Sequence, residues 1–270
     1  MNYFSVLLSL YKNESPLFLN ECLNSIYEQT HQANEIVMVI DGVVSQELYD
    51  ILIQWESKLP LIKVQLPVNV GLGSALNEGL KCCTNSIVAR MDTDDVCHKD
   101  RFLKQIKYLS DHPEVGLLSS PVGEFKNNYH DIYALRKLPT NHHDIIRFSK
   151  KRNPFNHMAV VYKKDLVLAA GGYQNEYLYE DYALWVRMIQ NGVITANLQE
   201  PLVFARTGNG MATRRSGFKY AMSELSAQIK FYKTGYLNFA ELLRNLAIRL
   251  PLRLAPVSLL SYLYSTALRK

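Results

Sequence analysis

The 270-residue chain has only four cysteines, Cys22, Cys82, Cys83 and Cys97, with no CxxC pair and no zinc-ligand spacing. The one adjacent pair, Cys82-Cys83, is poorly placed for an ordinary bridge, so the set reads as reduced thiols of an intracellular protein. No apolar run reaches the roughly 18 residues that a membrane-spanning helix needs. The opening MNYFSVLLSLYKNE lacks a basic segment and a small-residue cleavage site, so no export signal is expected. Internal repeats and low-complexity linkers are missing too. Together these absences exclude a disulfide scaffold, an integral membrane protein and a repeat array, while 48% hydrophobic content allows a substantial core.

Charge is unevenly spread. Net charge is +5, which divides into −3 over residues 1–213 and +8 over 214–270, where Glu224 and Glu241 stand among ten basic residues. An anionic partner is expected at that tail, a membrane surface rather than a nucleic acid. Its sequence is helical in pattern, with Leu, Ile, Tyr and Phe between spaced arginines, and Pro251 and Pro256 are expected to break it. An amphipathic interfacial helix pair is one reading. A helical extension packed on the main domain with a solvated basic face is the other.

Upstream, short β-rich runs alternate with helical patterns. YFSVLLSL, EIVMVI, LIKVQL and SIVARM read as strands. Between them, Leu19, Cys22, Leu23 and Ile26 recur at helical spacing after Ser15-Pro16, and Ser45 is placed to cap QELYDILIQWESK. That alternation predicts a parallel sheet with helices on both faces, which binds ligands beyond the carboxyl ends of its strands. Ser9–Tyr11, Asp41 and Asp92–Asp95 all fall at such ends. In ARMDTDDV three carboxylates occupy four positions, and a divalent cation would resolve their repulsion. The alternative is a solvated loop capping the next helix.

In order, SVLLSLYKNE, NVGLGSALNEGL, ARMDTDDV and GGYQNEYLYEDYALWVRM resemble the motifs of the inverting family 2 glycosyltransferases with the GT-A fold, over about residues 1–210. The likeness is greatest to bacterial enzymes of O-antigen (lipopolysaccharide), capsule and exopolysaccharide biosynthesis. It implies an α/β, Rossmann-like catalytic domain at 1–213, with a mostly parallel sheet flanked by helices, followed by the helical extension at 214–270. It also implies transfer of a hexose, galactose or glucose, from a UDP-sugar donor to a polyprenyl-diphosphate-linked saccharide acceptor. The enzyme would be cytoplasmic and peripheral on the inner face of the membrane.

Carried over residue by residue, the resemblance makes Asp94 a ligand of Mn²⁺ or Mg²⁺ and Asp92 a ligand or ribose contact, with Asp95 beside them toward the acceptor or diphosphate. Arg90 shares a strand face with Asp92, so it faces the nucleotide or simply pairs with Asp92. Asp181 of the Glu180-Asp181 pair becomes the base that deprotonates the attacking hydroxyl, with Glu180 orienting the acceptor; capping of the following helix is the alternative. Nucleotide recognition falls to Ser9, Tyr11, Glu14 and Asp41, and Asn69 and Gly71 form a turn under the donor. Tyr11 would stack on the base, or serve as rim packing. Asp41 would accept the imide N–H of uracil. Arg206, Arg214 and Arg215 are diphosphate-binding candidates for either donor or acceptor, or a solvated basic stretch. His157 lies near the acceptor or is a satisfied buried histidine.

Other readings leave distinct traces. The third glycine position of GLGSAL is Leu76, and the stretch follows the third strand, so a dinucleotide-dependent oxidoreductase is excluded. A sugar-phosphate nucleotidylyltransferase calls for a Gly-rich basic loop after the first strand, where YKNES stands. A non-enzymatic membrane-surface or carbohydrate-binding module would release no UDP.

Overall fold

The strands β1 (Phe4–Leu10) and β2 (Glu35–Ile40) are nearly unbroken apolar runs because both their faces are covered. Alternation splits them between two cores. Phe4, Val6, Leu8 and Leu10, with Ile36, Met38 and Ile40, face one; Leu7, Val37 and Val39 face the other. The fold comes from a computed structural model that describes residues 2–174, 176–207 and 217–254.

The elements follow in chain order as β1, α1 (Pro16–Tyr27), β2, α2 (Gln46–Glu56), β3 (Leu61–Gln65), α3 (Leu72–Cys82), β4 (Ile87–Arg90), β5 (Val96–Cys97) and α4 (Arg101–Asp111). Then come β6 (Val115–Ser119), β7 (Val122–Phe125), β8 (Ala134–Arg136), α5 (His142–Ser149), β9 (Val161–Lys163), α6 (Lys164–Ala169), α7 (Glu180–Gln190), β10 (Ile194–Asn197) and β11 (Val203–Arg206). Two helices, α8 (Phe218–Lys233) and α9 (Phe239–Leu254), end the described chain.

The main sheet has the order β10-β6-β9-β4-β1-β2-β3. It is parallel except for β9, which runs antiparallel to both β4 and β6. A second sheet, β5-β11-β7-β8, stands at the end of β4. Because β4, β1 and β2 are adjacent and parallel, the three segments that leave their carboxyl ends meet on one rim.

Helices α1, α2 and α4 cover one face of the sheet, and α3, α6 and α7 the other. Leu184, Trp185 and Met188 of α7 enter the second core. The opposite side of α7, at Tyr182, Val186 and Ile189, packs on Phe231, Tyr236 and Leu237 of the α8–α9 hairpin. The C-terminal helices are thus docked onto the helix that carries Glu180 and Asp181.

Two expectations for this region change. Helix α9 passes through Pro251 to Leu254, so Pro251 does not end it. The open end of the helical hairpin is held by Arg253, whose carbonyl accepts the Gly217 N–H at 2.8 Å and whose guanidinium reaches Glu224. Arg249 and Arg253 likewise point inward rather than forming a solvated basic face: both pair with Glu224, which is 0% exposed. Pro256, also expected to break a helix, lies outside the described residues. No described helix is long and apolar enough to cross a membrane.

Candidate active site

The turn after β4 delivers the acid cluster. Ligand oxygens of Asp92, Asp94 and Asp95 lie within 4.8 Å of one another. The arrangement is electrostatically loaded. Burial, then the charges of Asp92 and Glu14, push the Asp94 carboxyl up to about 7. Asp95, buried and beside Asp94 and Asp92, is raised well above the usual carboxylate range. Its Oδ2 has no hydrogen-bond partner among the described residues.

The cluster is braced on several sides. Thr93 donates its hydroxyl to Glu14 at 2.5 Å, which ties the loop after β1 to the acidic turn. Arg90, 1% exposed, forms an ion pair with Asp92. The Arg206 N–H donates to Asp95 Oδ1 at 2.8 Å, and its Nε to the Asp94 carbonyl at 3.2 Å.

Asp41 at the end of β2 is only 3% exposed. Its Oδ1 accepts the Val70 N–H at 2.7 Å; its Oδ2 accepts from the Asn69 side chain at 2.9 Å and the Gly71 N–H at 3.1 Å. Gly71 has φ +85°, a conformation glycine adopts without steric cost, and it opens α3. Two residues on, Gly73 permits close contact between α3 and Glu180: a Cβ there would lie 3.0 Å from Glu180 Cγ. Ser9 is half-buried on the same rim, and Tyr11 is 40% exposed.

Glu180 and Asp181 occupy the first turn of α7, as a capping role would also require. Asp181 Oδ2 accepts from the Asn153 side chain at 2.7 Å, and its Oδ1 from the Tyr182 N–H at 2.6 Å. Burial nevertheless holds its carboxyl above the ordinary range, as it does for Glu180. Asp181 opens onto a cavity of about 390 Å³, whose wall also includes His157 and Asn153. His157 Nε2 is 3.1 Å from the Tyr173 hydroxyl, and burial followed by the charge of Arg90 keeps its imidazole neutral. Just before α7, Leu178 has φ +65°, alone among described non-glycine residues in being positive. Such a conformation costs about 1–3 kcal/mol, and it lets Leu178 line the cavity while Tyr179 turns inward.

The model of glycosyl transferase family 2 matches residues 5–167. The chain belongs to that family. It is a glycosyltransferase, and its mostly parallel sheet and flanking helices are those of the GT-A fold. A glycosyltransferase of Haemophilus influenzae is 48% identical over 99% of both chains. The amylovoran biosynthesis glycosyltransferase AmsE of Erwinia amylovora is 44% identical over 97% of each. The UDP-Gal:alpha-D-GlcNAc-diphosphoundecaprenol beta-1,3-galactosyltransferase of Escherichia coli is 41% identical over 99% of this chain and 97% of its own. Among solved structures, the mannosyltransferase PcManGT of Pyrobaculum calidifontis, in complex with GDP-Man and Mn²⁺, matches at TM-score 0.69 and 20% identity, covering 98% of this chain and 76% of its own. TarS 1–349 of S. aureus with UDP-GlcNAc matches at TM-score 0.68 and 19% identity, covering 98% and 73%.

Within the transferase, the placement of Arg206 departs from expectation. Arg206 is not presented to a diphosphate: its guanidinium lies 3.9 Å from the Phe18 ring centroid and 4.6 Å from that of Phe125, and it pairs with Glu21. It props the acidic turn from beneath. Asp95 sits inside the acid cluster with Asp92 and Asp94. Asp41 uses both its oxygens to brace the 69–71 turn. Arg214 and Arg215 lie outside the described residues. Missed altogether were Asn153, which fixes the Asp181 carboxylate, and Gly73, whose hydrogen side chain lets α3 touch Glu180. The spacing of neither residue sets it apart in sequence.

Proposed function

We propose that the transferase moves a hexose, most simply galactose, from a UDP-sugar to a saccharide linked through diphosphate to a polyprenyl chain, with inversion at the anomeric carbon. The observation that carries this reading is an oxygen-only acid cluster and a buried Asp181 joined through Arg90, which pairs with Asp92 and whose charge acts on Asp181. The Escherichia coli relative supports the donor and the acceptor class by its name, and the Erwinia relative supports a role in polysaccharide biosynthesis. The reaction would take place at the cytoplasmic membrane surface, where exposed Leu243, Ile248 and Leu254 of α9 offer a peripheral contact.

A divalent cation fits the cluster. Three carboxylates within reach of one point, one of them with an orphaned buried oxygen, form a hard donor set suited to Mg²⁺ or Mn²⁺. Asp92 and Asp94, with Asp95 behind, would hold it, and bound there it would act as a Lewis acid toward the leaving diphosphate. The chain's own residues do the rest. Asn153 and the Tyr182 N–H orient Asp181, which takes the proton from the acceptor hydroxyl as that oxygen attacks. Glu180, pressed against α3 at Gly73, shapes the junction between donor and acceptor sides.

The decisive experiment is a screen of UDP-, GDP- and dTDP-sugars with a synthetic lipid-diphosphate acceptor. UDP-galactose should give a product whose new bond is β by NMR coupling. A product retaining the donor's configuration, or turnover with GDP- or dTDP-sugars only, refutes the proposal. Arg206→Lys supplies a second check, since lysine keeps the charge but loses the planar stack and fork. Mn²⁺ affinity, read by titration calorimetry, should weaken about 10–100-fold, the usual effect of removing an outer support of a metal site. Unaltered affinity would show that the acidic turn does not need its prop.

A further inference from the structure

The cavity beside Asp181 has a wall chemistry that deprotonation of a hydroxyl does not require. Arg136 of β8, Lys151, Arg152, and Arg249 and Arg253 of α9 all line it. These five cations stand against three carboxylates: Glu124 and Asp181 in the wall, and Glu224 behind the two α9 arginines. Lys151 has no ion-pair partner among the described residues. Toward solvent the wall turns apolar, with Leu135 43% exposed and Ile248 57% exposed, and Leu252 beside them. The volume, about 390 Å³, lies in the range of small-molecule sites. None of Asp92, Asp94 and Asp95 belongs to the lining.

We infer that this cavity, built jointly by β8, the 151–153 segment and α9, seats the diphosphate of the acceptor, with the first part of its lipid tail leaving over Ile248 and Leu252. The inference rests on the proposed function above and adds the place where the acceptor's anionic group is recognised. The geometry follows from chemistry at both ends of one sugar. Its attacking hydroxyl must reach Asp181, so its anomeric carbon, with the diphosphate attached, is held across the ring among the guanidinium and ammonium groups. The donor's diphosphate is a separate anion, assigned to the acid cluster. On this account the C-terminal hairpin is part of the acceptor site: Arg249 and Arg253 line the cavity while Glu224 anchors both from behind.

The test uses the whole protein and farnesyl diphosphate as probe, titrated in EDTA so that no metal-dependent donor binding contributes. In the Lys151→Met/Arg152→Met double variant its Kd should rise at least tenfold. The KM of a diphosphate-linked acceptor should rise by a similar factor. An alkyl glycoside of the same sugar should lose far less, and UDP affinity in Mn²⁺ should stay within twofold. Lys107→Met, at an exposed side chain of α4, controls for loss of a charge alone and should change none of these. An unchanged Kd for farnesyl diphosphate, an equal loss on the neutral glycoside, or a loss of UDP affinity instead would each overturn the inference. Probe binding that weakens as expected in a protein with no transfer to any acceptor would support the site and overturn the functional proposal.

Discussion

Asp181→Asn should lower kcat by about 10³-fold, within the 10²–10⁴ that a positioned base contributes, while the donor KM stays within twofold. The side chain keeps its size, but an amide cannot take the acceptor's proton. Asparagine also has one acceptor oxygen, so either the Asn153 or the Tyr182 hydrogen bond is lost, a penalty of about 0.5–1.5 kcal/mol. Against that, the buried carboxylate is itself a burden. Its folded-state pKa is raised, so the ionised form weakens the fold once the pH is above the unfolded value. The two effects oppose each other, and the melting temperature should move little while activity collapses. The wild-type rate should show an acid limb above the usual carboxylate value, missing from the residual activity of the variant. A variant with a kcat near that of the wild type would remove Asp181 from the reaction.

How much of this was legible in the sequence depends on the range of each contact. The strand–helix alternation and the acidic turn are local patterns, written in ten or fewer consecutive residues, and they appear where expected. Long-range pairs are different. Arg206 looks like an anion binder in ARTGNGMATRR, yet its guanidinium is stacked on Phe18 and paired with Glu21, almost the length of the domain away in sequence. Asp41 looks like a ligand contact because it ends a strand, and the same position puts it within reach of the backbone of residues 70 and 71. Strand β9 also escaped the parallel pattern: three residues carry no direction, and only their pairing with β4 and β6 sets it. One signal is written in the tail itself. In a tail with ten basic residues, a glutamate such as Glu224 is unusual enough to mark a place where charges are gathered rather than spread.

Glu224→Ala should destabilise the protein by about 3–5 kcal/mol in urea unfolding, the range for breaking a buried ion pair from one side. Glu224 accepts from the Tyr179 hydroxyl, from Arg249 Nη2 at 2.9 Å and from Gln228 at 3.1 Å, with Arg253 at 3.3 Å. Alanine leaves those donors, two of them charged, facing a void. Burial alone would raise the Glu224 carboxyl, but Arg249, Tyr179 and Arg253 hold it below its ordinary value, opposite to Asp181. The sign of its linkage is therefore opposite too. Its contribution is fully present above the unfolded carboxyl value and is lost as the pH falls through the depressed folded one, so the stability gap between wild type and a Glu224→Gln variant should close at acid pH. A gap independent of pH would mean that the charge is not what holds the hairpin. Replacing all three groups, Glu224→Leu with Arg249→Met and Arg253→Met, should recover much of the lost stability, because apolar packing can stand in for a buried ionic cluster. It should not recover transfer to a diphosphate-linked acceptor, since the same two arginines face the cavity beside Asp181.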